Sequence, residues 1–126
     1  LQGKAKDMGR PWEVGKAFEH SAPATALIPV EQTGLLETGA IWLDVNGKRR
    51  QTGNTADMIF PVAFLISHLS QFMTLLPGDV IATGTPAGVG AGCRPPQFLK
   101  PGDVVDLGVT GVGQQRQEVV AWDAAG

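Results

Sequence analysis

The chain has 126 residues, with 10 Lys or Arg, 12 Asp or Glu and a net charge of −2. This charge argues against a nucleic-acid or anionic-membrane partner, and no apolar run approaches the ~20 residues that cross a bilayer. A single cysteine excludes an internal disulfide and favours a reducing, cytoplasmic compartment. Gly and Pro exceed their average share of about 12%, and only 17% of residues are charged. We expect one turn-rich domain, mainly β.

The first residues predict a helix. Leu1, Ala5 and Met8 follow helical spacing, and Gly9 with Pro11 ends the pattern. No capping residue precedes Leu1, so we expect the chain to begin inside a helix and to be a fragment of a longer protein.

Residues 12–20 alternate with a period of two, which predicts a strand. Lys16 would lie on its more apolar face, between Val14 and Phe18. A partly desolvated lysine there could bind a carboxylate or a developing enolate. A lysine that only covers a sheet edge is the more common case. Residues 21–39 contain two prolines and two glycines and predict an irregular segment.

A hairpin and a helix follow. Residues 41–45 and 48–52 predict paired strands, joined by Asn46–Gly47 in a type I′ turn, with a polar loop at residues 53–57. After Pro61, apolar residues recur with helical spacing. We expect this stripe to pack on a sheet, with His68 on its flank in a packing or surface role; its members are Val62, Leu65, Ile66, Leu69, Phe72 and Met73.

The tripeptide Pro-Gly-Asp occurs twice, at residues 77–79 and 101–103. Pro followed by Gly is typical of a type II turn. Each turn is expected to begin a strand, at residues 80–83 and 104–109, and residues 116–122 predict the last strand.

Residues 83–92 form a glycine-rich segment after a predicted strand. The Walker motif is excluded because Val89 follows Gly88. The dinucleotide motif is excluded because it must open a helix, whereas Cys-Arg-Pro-Pro follows at residues 93–96. The Gly84 backbone and the Thr85 hydroxyl could bind a small anion, although a surface loop with unusual dihedral angles is the simpler interpretation. The sequence contains no metal-ligand motif or catalytic triad.

Several motifs occur together in a fixed order, and together they resemble the C-terminal part of the fumarylacetoacetate hydrolase family, nearest to its acylpyruvate and fumarylpyruvate hydrolase branch. The resemblance extends over nearly the whole chain. It is carried by residues 9–18 (GRPWEVGKAF), 21–23 (SAP), 45–47 (VNG), 57–60 (DMIF), 77–90 (PGDVIATGTPAGVG) and 100–105 (KPGDVV).

The resemblance implies a partial catalytic domain over residues 1–126, part of a mixed β-roll. It also implies Mg²⁺- or Mn²⁺-dependent cleavage of a carbon–carbon bond in a 2,4-diketo acid, within aromatic catabolism. Lys16 matches a lysine that stabilises the leaving enolate, Gly84 and Thr85 match a segment that binds the substrate carboxylate, and Gln2 matches a glutamine that reaches the substrate. The metal carboxylates and the lid His–Glu pair would lie upstream of Leu1.

Alternatives remain open at this point. A decarboxylase or isomerase of the same family, acting on oxaloacetate or a hydroxy-dienedioate, would use the same enolate chemistry. A non-catalytic remnant that serves as a binding or assembly module is the alternative from another class. The family resemblance also implies a homodimer.

Overall fold

The computed structural model describes residues 1–121, and its centre is one antiparallel sheet. The strand order is β2-β1-β3-β4, so β1 and β3 are the inner strands. The bounds are Ala40–Val45 for β1, Lys48–Asn54 for β2, Val104–Val109 for β3 and Gly113–Glu118 for β4. The other regular elements of the described chain are short helices and 3₁₀ turns, so the mainly β fold class is confirmed.

The β1–β2 hairpin has the predicted turn. Asn46 and Gly47 have φ values of 52° and 73°, the two positive angles of a type I′ turn. The pairing contains a bulge: Leu43 pairs with Gln51 and Asp44 with Arg49, so that Arg50 has no partner on β1. A bulge bends its strand and changes the direction of neighbouring side chains. β2 continues to Asn54, two residues beyond the predicted end, so only residues 55–57 form the expected loop, as a 3₁₀ turn.

The inner strands hold the small core of the described chain. Val105 is 7% exposed and pairs with Val45 across β1 and β3. On the outer pairs, oppositely charged side chains face each other: Asp44 and Arg49 between β1 and β2, and Asp106 and Arg116 between β3 and β4, the latter at 2.8 Å. Such cross-strand pairs favour one register over its neighbours.

Both Pro-Gly-Asp segments form the predicted turn. Gly78 and Gly102 have φ values of 101° and 89°. In each turn the Asp carboxylate accepts a hydrogen bond of 2.8 Å from a backbone N–H three residues earlier, that of Leu76 or Lys100. β3 follows the second turn as predicted.

The prediction of a strand at residues 80–83 is wrong for the described chain. Val80 is 85% exposed, and the segment pairs with no strand among residues 1–121. A turn motif sets the direction of the chain locally, but a strand also requires a partner for its backbone hydrogen bonds.

The predicted N-terminal helix is confirmed as α1, Gln2–Asp7, but the strand at residues 12–20 is wrong. Glu13–Gly15 is a 3₁₀ turn, and the backbone N–H groups of Lys16 and Ala17 donate to the Glu13 carbonyl. These local bonds use the groups that a strand would offer to a neighbour. Residues 21–39 are irregular, as expected, except for the short helix α2, Val30–Thr33.

The predicted amphipathic helix is α3, Val62–Leu69, and it is shorter than its pattern. Its apolar stripe does not pack on a sheet in the described chain: Val62, Ile66 and Phe72 are exposed, whereas Leu65 and Leu69 are half-buried. His68 is exposed and lies between Phe64 and Phe72, with ring centroids at 6.0 and 5.0 Å, which agrees with the predicted packing or surface role.

The last strand, predicted at residues 116–122, both begins and ends earlier than expected: β4 extends from Gly113 to Glu118, and residues 119–121 are not in a strand. Trp122, the expected end of that strand, lies outside the described residues. Among residues 1–121, no helix is long and apolar enough to span a bilayer.

Candidate functional site

Two of the predicted site residues lie together at the start of the chain. Gln2 is the first residue of α1, and Gly15 packs directly against it. A Cβ at position 15 would lie 2.9 Å from both the Cβ and the backbone nitrogen of Gln2, a distance too short for any larger residue without movement. Glycine at position 15 therefore allows the 3₁₀ turn to approach α1, and it places Lys16 one residue away from this contact.

Lys16 is exposed at the end of the 3₁₀ turn and not on the apolar strand face that the sequence predicted. Its backbone N–H donates to the Glu13 carbonyl at 2.9 Å, so local bonds fix its backbone. Within residues 1–121 its ammonium group makes no ion pair or hydrogen bond. The charge therefore remains available for an anionic ligand.

The second pair of predicted residues, Gly84 and Thr85, forms a bend held against β2. Gly84 has a φ of 99°, which favours glycine. The Thr85 hydroxyl oxygen accepts a hydrogen bond of 2.8 Å from Nε2 of Gln51, and the same nitrogen donates to the Pro86 carbonyl at 2.7 Å. Gln51 is 8% exposed, so the bend is attached to the sheet through a buried amide.

Glycines also bring the segment after Thr85 close to the sheet. A Cβ at Gly88 would lie 2.2 Å from the carbonyl oxygen of Arg50, the bulge residue of β2. A Cβ at Gly90 would lie 1.9 Å from the carbonyl oxygen of Gln97, whose N–H donates to the Gly90 carbonyl. No side chain fits at either position, which explains in physical terms why this segment is rich in glycine.

A cavity of about 650 Å³ is lined by both this segment and the sheet, and Gln51 contributes to its wall. Asp103 lies at its edge and accepts a hydrogen bond of 2.9 Å from the Asn46 side chain. This bond, followed by the bond from the Lys100 N–H, lowers the pKa of the Asp103 carboxyl below its usual 3.8. Thr85, Lys16 and Gln2 do not line this cavity, so it is separate from the predicted site residues.

The structure thus brings together Gln2 with Lys16, and Gly84 with Thr85. No hydrogen bond among residues 1–121 joins the two pairs, and none of the four residues lines the cavity described above. The same residues contain no group of three His, Cys, Asp or Glu side chains that could hold a metal ion. The described part of the chain therefore offers an ammonium group, a hydroxyl and backbone N–H groups, and it does not supply a metal site.

Sequence reasoning missed Gln51 and the packing role of Gly15 and Gly88. Gln51 lies between Arg50 and Thr52 on a polar strand, where no hydrophobic pattern distinguishes a buried side chain from an exposed one. The sequence likewise gave no indication of the bulge at Arg50. The density of glycine in residues 83–92 was the only available signal of close packing.

Similarity to known proteins defines the family of the chain. A family model described as "Fumarylacetoacetate (FAA) hydrolase C-terminal" matches residues 1–120. The chain belongs to the fumarylacetoacetate hydrolase family, as its ordered motifs predicted.

Individual relatives support this assignment. The chain is 45% identical over 119 residues to 2,4-didehydro-3-deoxy-L-rhamnonate hydrolase of Sphingomonas sp. (strain SKA58), which covers 93% of this chain and 42% of that protein. Fumarylpyruvate hydrolase of Pseudomonas aeruginosa, solved with Mn²⁺ and pyruvate, is 40% identical with a TM-score of 0.88, covering 97% of this chain and 49% of its own.

Fumarylacetoacetate hydrolase of Exiguobacterium antarcticum is 37% identical with a TM-score of 0.85, covering 95% of this chain and 43% of its own. The chain thus spans less than half the length of these three relatives, all of which are named as hydrolases.

Proposed function

We propose that the protein carrying this chain hydrolyses a carbon–carbon bond in an acylpyruvate, a 2,4-diketo acid such as fumarylpyruvate, or in the related diketo acid fumarylacetoacetate. Water adds to the distal carbonyl, and the bond from that carbon to the central CH₂ breaks. Its electron pair leaves as a pyruvate-type enolate, which takes up a proton to give pyruvate, or acetoacetate when the substrate is fumarylacetoacetate. The other product is a carboxylic acid.

The observation that carries this proposal is the bend at Gly84 and Thr85, held on the sheet by a buried amide in a chain 40% identical to a fumarylpyruvate hydrolase solved with pyruvate. The backbone N–H groups of Gly84 and Thr85 donate to no backbone carbonyl within residues 1–121. A bend that offers such N–H groups beside a hydroxyl suits a planar carboxylate. We assign the carboxylate of the substrate to Gly84 and Thr85.

Lys16 is the residue we assign to the developing enolate. A fixed positive charge beside an oxygen that gains negative charge lowers the barrier to bond cleavage. The exposed ammonium group is free of ion pairs within residues 1–121, which leaves it available for that role. Gln2, which touches Gly15, would contact the substrate beside Lys16.

We propose Mg²⁺ or Mn²⁺ as the cofactor, since a related hydrolase was solved with Mn²⁺. Residues 1–121 contain no cluster that could hold it, so the proposal takes the metal ligands from outside the described residues.

We also propose a cytoplasmic homodimer, in which exposed apolar side chains of α3, such as Val62, Phe64 and Ile66, would be covered.

A panel of substrates tests the proposal. The protein at its natural length is assayed with fumarylpyruvate, acetylpyruvate, oxaloacetate and a hydroxy-dienedioate, each with Mg²⁺, with Mn²⁺ and with EDTA. We expect equimolar pyruvate and carboxylic acid from the acylpyruvates, and no turnover with EDTA. Release of CO₂ from oxaloacetate as the main reaction, or conversion of the dienedioate to an isomer, would replace hydrolysis with one of the family's other reactions. No turnover of any substrate would favour a binding or assembly module.

A further inference from the structure

We propose that Gln51 is a positioning residue that keeps the Thr85 hydroxyl proton free to be donated to a ligand carboxylate. The inference rests on the proposed function, because it assigns the ligand of Thr85 to the carboxylate class. Beyond the proposed function, it names a residue on β2, between the motifs at residues 45–47 and 57–60 and part of neither, that controls how Thr85 binds.

The orientation of the Gln51 amide follows from its partners. The Pro86 carbonyl can only accept a hydrogen bond, so the amide atom 2.7 Å from it must be the NH₂ nitrogen. That nitrogen carries two hydrogens. One is directed to Pro86, which leaves the second for the Thr85 oxygen at 2.8 Å.

The state of the Thr85 hydroxyl follows in turn. An amide NH₂ group cannot accept a hydrogen bond, so Thr85 acts as the acceptor in this contact, and its own O–H must be directed elsewhere. Among residues 1–121 the Thr85 hydroxyl donates to no other group, and the residue is exposed. An acceptor from outside is therefore the natural partner, and a carboxylate forms the strongest such bond.

The sheet fixes Gln51 in this role. Gln51 is 8% exposed and follows the bulge at Arg50, and the Arg50 carbonyl is in contact with Gly88 on the loop that continues from Thr85. Burial limits the rotamers of the amide, so the ordering of Thr85 occurs before a ligand arrives. Gln51 itself need not touch the ligand.

Substitutions that reverse the hydrogen bond test this inference. In Gln51→Glu, the introduced carboxylate can only accept, so it draws the Thr85 O–H to itself. Dissociation constants for pyruvate are measured in the presence of Mn²⁺ on the protein at its natural length. We expect Gln51→Glu to weaken pyruvate binding about tenfold or more, as for loss of a hydrogen bond to a charged group. Gln117→Glu is the matched control: its amide lies on β4 and donates only to Gln115 among residues 1–121.

A double-mutant cycle separates an effect of Gln51 that acts through Thr85 from a general loss of structure. In a Thr85→Val background, the Gln51 substitution should weaken pyruvate binding no further, because its effect acts through the missing hydroxyl. Full additivity of the two effects would overturn the inference, and so would unchanged binding in Gln51→Glu. If Gln51→Glu does not fold, as judged by circular dichroism, Gln51→Met replaces it in the same cycle. Methionine removes the donor without adding charge and leaves the Pro86 carbonyl open to accept from the Thr85 O–H, so we again expect weaker pyruvate binding in the Thr85 background only.

Turnover of acylpyruvates by the unsubstituted protein is measured alongside. Pyruvate binding with the expected cycle but without turnover would overturn the proposed hydrolysis and support the role of Gln51. Turnover of acylpyruvates, together with additive effects of the Gln51 and Thr85 substitutions on pyruvate binding, would support the proposed hydrolysis and overturn the role of Gln51. An unsubstituted protein that binds no pyruvate at all would overturn the role of Gln51.

Discussion

The two halves of the candidate site are held in different ways. Gly84 and Thr85 are attached to β2 by the buried Gln51 amide. Lys16 follows a 3₁₀ turn whose contact with α1 is the close approach of Gly15 to Gln2, at the surface of the described chain. The first half is therefore coupled to the stability of the sheet, whereas the second depends on local bonds. Substitutions in the first half should affect folding and binding together, and substitutions in the second should affect turnover with little change in stability.

Lys16→Ala should produce the largest effect. If the ammonium group stabilises the enolate, its removal should lower kcat for acylpyruvate hydrolysis about 100-fold or more. The affinity for Mn²⁺ and the melting temperature should remain nearly unchanged, because Lys16 is exposed and makes no ion pair within residues 1–121. Lys4→Ala, an exposed lysine on α1, is the control and should retain normal turnover. Near-normal kcat in Lys16→Ala would remove Lys16 from the mechanism.

Gly88→Ala should show the coupling of the other half to the sheet. The new Cβ would lie 2.2 Å from the Arg50 carbonyl, at a φ of 108°. Gly78→Ala is a matched control, since its φ is 101° but nothing lies within 4 Å of the new Cβ. Both variants carry the cost of a positive φ, and Gly88→Ala should lose about 2 kcal/mol more in free energy of unfolding because of the clash. Equal losses in urea titrations would contradict the close packing of the loop on β2.

Gly15→Ala tests the contact between Gly15 and Gln2, which is less tight than the contact between Gly88 and Arg50. Its Cβ would lie 2.9 Å from Gln2, so α1 must shift relative to the turn that carries Lys16. We expect a loss of a few-fold in kcat/KM, with a change in stability below about 1 kcal/mol, since small shifts of positioned groups affect rates more than folding. Gly3→Ala, where nothing lies within 4 Å of the new Cβ, should leave kcat/KM unchanged. A loss of stability as large as that of Gly88→Ala would show that the two halves are not held differently.

The smallest predicted effect is a change in the free energy of unfolding at low pH, caused by protonation of Asp103 immediately before β3. Asp103 has its pKa lowered below 3.8 by the Asn46 side chain and the Lys100 N–H. Well above pH 3.8 the carboxylate is ionised in folded and unfolded chains, and its stabilising contribution is complete. As the pH falls below that value, the unfolded chain binds the proton first, so the contribution decreases until the folded carboxyl is also protonated.

Urea titrations of Asp103→Asn and of the unsubstituted protein should therefore converge as the pH falls below 3.8. Asp79→Asn is the control, because its carboxylate accepts from Leu76 in an equivalent turn and has no side-chain donor within residues 1–121. A stability difference for Asp103→Asn that stays constant across this range would contradict the assigned hydrogen bonds.

Local signals in the sequence were reliable where local geometry decides the structure. Asn46–Gly47 and both Pro-Gly-Asp turns were predicted correctly, because positive φ at defined positions restricts the choice of residue. The strand at residues 12–20 failed because a period of two is no guarantee of a partner strand, and the backbone bonds there are local. For the same reason residues 80–83 remain unpaired among residues 1–121.

In the candidate site, too, the residues with a local signal were predicted, whereas the long-range contacts that position them were not. Family motifs pointed to Lys16 and Thr85, but they gave no indication of what positions them. The Gln51 amide depends on a bulge and on a loop that returns after more than thirty residues, and neither leaves a periodic trace in the sequence. Long-range contacts of this kind become visible only in three dimensions.

A crystal structure of the protein at its natural length with Mn²⁺ and pyruvate would test the central claim most directly. We predict that the pyruvate carboxylate lies within hydrogen-bond distance of the Thr85 hydroxyl, while Nζ of Lys16 contacts the keto oxygen of the same molecule. Pyruvate bound with Lys16 and Thr85 on opposite sides of the protein would contradict the account.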